Sequence, residues 1–445
     1  MDAQSFKDLN ILTETNNSAS IFSIFKNTRT MGGRWKLEEI MTNPSSDISL
    51  VSSRRDFIKY FLDQKIELEI NHNQLDLIEH YLSLNRRYLR NHIIDAASDF
   101  LIDRINPGAD YYRIKTGIKN LIKLFKYSLT LAQSPSMEHA PGLLAVYNAK
   151  IISVLEEGVF KGITLLDERN LPFYQVNRLD QLFRRKEMET LRELLGIIYE
   201  FDVYETVAST IPGKGFCFPE YLDGKNARLD YTGLFHPHIN NPVKNDISLD
   251  KNNNIVFLTG SNMAGKSSML KALGLAVYLA HIGFPVPAKE FKTTMFNGLM
   301  TTINLPDDMN SGLSHYYSEV KRVKIVAELL VKNENMFVIF DELFRGTNVK
   351  DAYDASLSII SELANIHTSI FFISTHIMEL EEELKKFNNI SFRYMDVLFE
   401  NKKPIFTYQL KNGVSTERLG MYIVENEGII ELIKKAQNTN FVVKG

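Results

Sequence analysis

The sequence predicts a multidomain chain in two parts: an all-α first half reaching to about residue 211, then an α/β half with a largely parallel sheet. Three observations predict it. From Ile21 onward apolar residues recur at helical spacing, Ile211-Pro212-Gly213 breaks that pattern, and from about Gly215 short apolar runs alternate with helical stretches. With 445 residues and 44% hydrophobic content the chain is long enough for two or three ordinary globular domains. The 51 Lys and Arg nearly balance 54 Asp and Glu, for a formal net charge of -3, so any basic surface must be local. Cys217 is the single cysteine, which excludes an intramolecular disulfide and fits a reducing interior; a cytoplasmic location is the default expectation.

The opening Met1-Asp2-Ala3-Gln4-Ser5 lacks the charged and apolar regions of a secretory signal. The longest apolar stretch, 272–287, is interrupted by His281, Gly283 and Pro285 and falls short of a bilayer span. It reads as a buried helix, and no membrane partner is expected.

Residues 1–20 are polar and low in pattern, which suggests a tail or a cap strand. Leu75, Ile78, Leu82, Leu89 and Ile93 then recur at helical spacing opposite Arg86, Arg87 and Arg90. Asn106-Pro107-Gly108 is a break. After it Lys115, Lys119, Lys123 and Lys126 share one helical face, with Ile114, Ile118, Leu121, Ile122 and Phe125 on the other. Such a lysine stripe either tracks phosphates or is simply a solvated face. Ser134-Pro135-Ser136 and Ala140-Pro141-Gly142 mark a loop, and a long helix is expected over 178–210. Delivered straight into the second half, that helix could serve as a lever or merely pack.

The second half carries the chemistry. Gly260-Ser261-Asn262-Met263-Ala264-Gly265-Lys266-Ser267 satisfies the Walker A pattern, preceded by the strand-like Ile255-Val256-Phe257-Leu258-Thr259 and followed by a helix that starts at Ser268. In that setting loop amides and the helix N-terminus face phosphates, Lys266 reaches their outer oxygens, and the Ser267 hydroxyl can sit on Mg²⁺. A nucleotide with Mg²⁺ is therefore the expected ligand. Met336-Phe337-Val338-Ile339-Phe340 ends in Asp341-Glu342, where Asp341 can hold the metal through water and Glu342 can orient or deprotonate an attacking water. A third strand, 369–374, ends at Thr375-His376, whose imidazole could report on the terminal phosphate. Between the two Walker elements Ser311-Gly312-Leu313-Ser314 precedes a helix that either serine could cap.

Together these elements resemble the ATPase domain of the MutS family, the DNA mismatch-repair ATPases of the ABC class. The family loop TGPNMGGKST aligns with 259–268, with Ser261, Ala264 and Ser268 as substitutions. Asp341-Glu342 followed by Arg345-Gly346-Thr347 resembles DE..RGT, Thr375-His376 resembles the TH switch, and Ser311-Gly312-Leu313-Ser314 stands where the family has SGRS. Upstream, Phe235-His236-Pro237 with Asn245-Asp246-Ile247-Ser248-Leu249 resembles the lead-in to the phosphate loop, and 21–32 resembles the start of the helical core domain. Val243 stands near the position of the family's adenine-stacking aromatic, and Leu313 and His315 depart from the usual Arg and Thr.

The resemblance implies a tail at 1–20, a helical core and lever over 21–211, and an ABC-type P-loop ATPase domain over 212–445. It implies ATP hydrolysis that switches a homodimer joined through the ATPase domains, with Ser314 acting in trans. It also implies DNA as target, read by structure rather than by a mismatch wedge, because the N-terminal mismatch-reading and connector domains are expected to be absent. Alternatives stay open: branched DNA or a ribosome as target, a nucleotide-bound scaffold with little turnover, or a small-molecule P-loop kinase.

Overall fold

Side-chain caps set where helices of the first half begin. In the computed structural model, which describes residues 1–12, 20–85, 88–89, 109–224, 226–303, 315–400, 403–415 and 424–442, Thr30 caps α3 (Met31–Thr42) by accepting from Gly33 N. Two short helices precede it, α1 (Ala3–Asp8) and α2 (Phe22–Phe25). Asp47 caps α4 (Ile48–Gln64), and Asn71 caps α5 (His72–Leu82). The remaining helices of this half are α6 (Ala109–Ala132), α7 (Gly142–Ile152), α8 (Phe173–Gln181) and α9 (Met188–Thr210). Phe57 of α4 anchors their core, its ring centroid 4.7 Å from Tyr204 and 5.3 Å from Phe201 of α9.

Three expectations change here. The segment expected as a tail or cap strand forms α1, packed against the second half. The continuous helix expected over 178–210 is interrupted by a π turn at Leu182–Lys186 and by Glu187 (φ -124, ψ 28), because Arg184 turns inward to Asp180 with both side chains almost wholly buried. Asp180 also accepts from Tyr81 Oη (3.0 Å) and Leu89 N (2.8 Å), a network that apolar periodicity does not register. Along α6 the apolar face is buried as expected, but Lys126 of the lysine stripe pairs with Glu168 at 2.7 Å. Arg86, Arg87, Arg90, Ile93 and Asn106-Pro107-Gly108 lie outside the described residues.

The start of the helical half is tied to α9. Asp202, fully buried, accepts from Arg29 N (2.8 Å), Thr30 N (2.9 Å) and Thr30 Oγ1 (2.7 Å), while Glu205 pairs with Arg29. Burial pushes the Asp202 carboxyl above the usual range, against these donors.

The second half is mixed α/β with two sheets, not one. A four-stranded mixed sheet has the order β1-β5-β2-β3, from β1 (Glu220–Tyr221), β2 (Leu229–Leu234), β3 (Asn245–Leu249) and β5 (Glu290–Thr293). The six-stranded sheet runs β10-β9-β4-β8-β7-β6, from β4 (Ile255–Thr259), β6 (Gly298–Thr302), β7 (Met336–Phe340), β8 (Ile370–Ser374), β9 (Ile390–Glu400) and β10 (Lys403–Asn412). All its neighbours pair in parallel except β9 with β10. Every residue of β4, β7 and β8 is buried, as apolar runs between helix layers require. The helices are α10 (Lys266–His281), α11 (His315–Lys332), α12 (Val349–Leu363), α13 (Leu380–Leu384) and α14 (Ile429–Val442). Among the described residues no helix is long and apolar enough to cross a membrane.

Candidate functional site

The central strands β4, β7 and β8 carry the three expected motifs at their C-terminal tips, where ligands of open α/β sheets bind. After β4 the chain turns through Gly260 (φ +137), Met263 (φ 71) and Gly265 (φ +98) into α10. A Cβ on Gly265 would lie 2.9 Å from the Tyr408 ring in a backbone conformation that L side chains rarely adopt, so glycine is required twice over. Lys266 is buried, and its Nζ donates to Gly260 O (2.6 Å) and Ser261 O (3.2 Å), curling into the loop it follows. Burial pulls the Lys266 ammonium below its ordinary range, and the charges of Glu342 and Asp341 oppose that shift. Ala264 is buried, Ser267 half-buried, and Asn262, Met263 and Ser268 are exposed.

At the tip of β7, Asp341 N donates to Thr302 O (2.9 Å), joining it to the end of β6. Ser374 Oγ, from the tip of β8, donates to Asp341 Oδ1 (2.5 Å) and accepts from Glu342 N (2.9 Å). Ser374 escaped the sequence reading; a hydroxyl directly before Thr375-His376 was the available signal. Glu342 sits at φ 58, and its carboxylate is held from both ends, Oε1 2.6 Å from His376 Nε2 and Oε2 2.8 Å from Arg345 Nη1. A carboxylate only accepts, so His376 Nε2 carries the proton. These partners, His376 first, bring the Glu342 carboxyl down to about 2. Glu342 is thus a poor proton acceptor in this arrangement.

Ser267, Thr302, Glu319, Asp341, Glu342 and Arg345 line one cavity of about 340 Å³. Walker A and Walker B residues therefore share it, with His376 on Glu342. Glu319 of α11, buried at its wall, lies 3.5 Å from Gly346 N. The Ser311-Gly312-Leu313-Ser314 element lies outside the described residues, so Ser314 has no place in this geometry.

Across the 260–265 loop is a second cavity of about 430 Å³, lined by His236, Val243, Gly265, Met269, Met395 and Tyr408 among others. Burial brings the His236 imidazole down to about 4, so it is neutral at pH 7. Phe235 and Tyr408 supply its aromatic rings; Tyr408 (φ 55) stands at a register shift of β10, where Asn245 Nδ2 donates to Tyr408 O (3.1 Å) and Asn245 Oδ1 accepts from Leu410 N (2.7 Å). The sequence offered no local signal for Tyr408, which reaches the loop only through sheet pairing.

Residues 256–443 match the family model described as MutS domain V. Over that stretch the chain resembles the MutS family. The DNA mismatch repair protein MutS of Thermotoga petrophila is 30% identical over 249 residues, which cover 55% of this chain and 31% of that protein. Its namesake in Thermus thermophilus is 31% identical over 258 residues, 57% of this chain and 30% of the relative. The Pseudothermotoga lettingae protein of the same name aligns over 347 residues at 26% identity, 74% of this chain and 42% of the relative. The chain therefore spans less than half the length of these relatives.

Proposed function

We propose that the chain is a MutS-like ATPase that binds Mg·ATP at the tips of β4, β7 and β8 and acts on DNA. The observation that carries the reading is the shared cavity: Ser267, Asp341 and Glu342 line it together, beside a buried Lys266 and with His376 on Glu342. In this reading a helical core and lever occupy 21–211 and an ATPase domain occupies 212–445.

The donor set suits a polyphosphate. Positive φ at Gly260 and Gly265 opens the loop backbone, Lys266 rests on carbonyls it can exchange for phosphate oxygens, and Ser261, Asn262, Met263, Ala264 and Ser268 complete the loop and helix start. Ser267 and Asp341 would hold Mg²⁺, which when bound neutralises charge on the phosphate oxygens. Glu342 orients the attacking water through an accepting oxygen; it gains basicity as Arg345 or His376 lets go. The base would lie in the second cavity against Tyr408, in place of an aromatic near Val243.

The family relation supports a homodimer through the ATPase domains, in which Ser314 of the partner subunit completes the site and hydrolysis resets the helical lever. A second reading, a nucleotide-bound scaffold with little turnover, rests on Glu342 being held from both ends by Arg345 and His376. Branched DNA or another assembly remains the alternative target. ATP turnover of the purified chain, measured alone and with duplex, mismatched and branched DNA, decides among them. Turnover stimulated by DNA supports the proposal, a DNA-independent bound nucleotide without turnover supports the scaffold, and failure to bind ATP refutes both.

A further inference from the structure

β6 ends in Thr301-Thr302, whose side chains leave on opposite faces of the strand. On one face α1 fixes the strand end. Thr301 Oγ1 and Ile303 N both donate to Asp8 Oδ2 (2.8 Å each), and Thr301 N donates to Ser5 Oγ (2.9 Å). From α11, Arg322 Nη2 donates to Thr301 O (2.7 Å) and to Ser5 Oγ (3.2 Å), and Arg322 also pairs with Asp2. Both chain neighbours of Thr302 are thereby pinned.

The Thr302 side chain points the other way. It lines the 340 Å³ cavity with Ser267 and Asp341, and its carbonyl accepts from Asp341 N (2.9 Å). Its Oγ1 is buried and has no hydrogen-bond partner among the described residues. Folded proteins seldom leave a buried hydroxyl unpaired, and this one is held rigidly beside the two groups suited to a metal.

We infer that Thr302 Oγ1 is a further binding group of the nucleotide site, hydrogen-bonding an oxygen of the metal·triphosphate assembly, and that Asp8 is its positioning residue. The inference rests on the nucleotide site proposed above. It makes a helix at the start of the helical half part of the ATPase site: Asp8 acts through Thr301 and Ile303 to aim Thr302.

The test uses the full chain and a fluorescent ATP analogue, titrated with Mg²⁺ present and with EDTA. Thr302→Val, nearly isosteric, is expected to weaken Mg²⁺-dependent affinity about tenfold while leaving affinity in EDTA unchanged. Thr302→Ser restores the hydroxyl and the affinity, and Asp8→Asn gives a smaller loss confined to the Mg²⁺ arm. Should the valine variant fail to fold by circular dichroism, Thr302→Ala makes the same comparison. Wild-type Mg²⁺ dependence in a folded variant lacking the hydroxyl overturns the inference while leaving the nucleotide site intact. If the unmodified chain binds no analogue, or binds it equally well after Lys266→Met, the nucleotide-site reading itself falls and this inference with it.

Discussion

Replacing Lys266 with methionine separates what the lysine does for the fold from what it does for the ligand. In the structure Nζ makes two bonds, to Gly260 O and Ser261 O, from a buried position. Because burial depresses its folded pKa, the ammonium subtracts stability at neutral pH. That penalty fades only as pH rises through the folded value toward the unfolded one. Losing two loop bonds and losing a desolvated charge therefore oppose each other, and the ligand-free variant should stay within about 1 kcal/mol of the parent. The ligand side has no such offset. At a nucleotide concentration of about 100 times Kd the parent gains about 2.7 kcal/mol, and a melting shift of about 1 °C per kcal/mol for a cooperative unit of this length makes that about 3 °C. Forfeiting charge-assisted bonds to phosphate weakens binding about a hundredfold, which leaves about 0.4 kcal/mol at the same concentration and almost no shift. Thermal melts with and without Mg·ATP measure both quantities. A full ligand shift in Lys266→Met, or a ligand-free variant destabilised by several degrees, would refute the reasoning.

Glu342→Gln should lower turnover by orders of magnitude with nucleotide binding retained, and equal turnover in a single-turnover assay counts against Glu342 orienting the water. The same variant should flatten the acid limb of stability. With a folded value of about 2 against an ordinary 4.5, the ionised carboxylate contributes fully above about pH 4.5, and the contribution is lost as pH falls toward 2. Gly265→Ala should cost about 1–2 kcal/mol and weaken nucleotide binding; repeating it in a Tyr408→Ala background relieves the 2.9 Å contact but not the backbone strain, so a double-mutant cycle should show coupling. Asp202→Ala leaves three donors without their acceptor, the two of Thr30 buried, and should destabilise by about 3 kcal/mol or more in urea unfolding; a loss under 1 kcal/mol would mean that water replaces the carboxylate. For DNA binding, alanine at Lys115, Lys119 and Lys123 should make the salt slope shallower by up to about 0.9 per lysine that contacts phosphate, whereas Lys126→Ala should change it little because Glu168 holds that ammonium. An unchanged slope removes this face from DNA contact.

Motifs whose chemistry is local were legible in advance. The strand–loop–helix at 255–281 and the strand ending in Asp341-Glu342 announce themselves because backbone, charge and hydrophobic run occur together in a few residues. What joins distant segments was not legible. Tyr408 reaches the phosphate loop through β10, Asp8 reaches Thr301 across 293 residues, and Ser374 reaches Asp341 only once β7 and β8 pair. The interruption of the helix expected over 178–210 is of the same kind, since Arg184 turns inward for a carboxylate that also serves Tyr81 and Leu89. Helical periodicity records which face is apolar, not which buried charge has found a partner. The four-stranded mixed sheet was missed because its strands are short and begin in Gly- and Asn-rich sequence that resembles loop.

The tether between Asp8 and the end of β6 also bears on how the chain is made. A ribosome releases α1 nearly three hundred residues before the strand it docks on. Until then Leu9 and Ile11 lack the surroundings that bury them in the finished protein, and the outer edge of β6 is left uncovered if α1 is late. Closing so long a loop is a late event, yet its entropic cost grows only logarithmically with length. The two halves therefore finish folding together, and a melting curve of the whole chain should show one transition where a cut near residue 211 would suggest two.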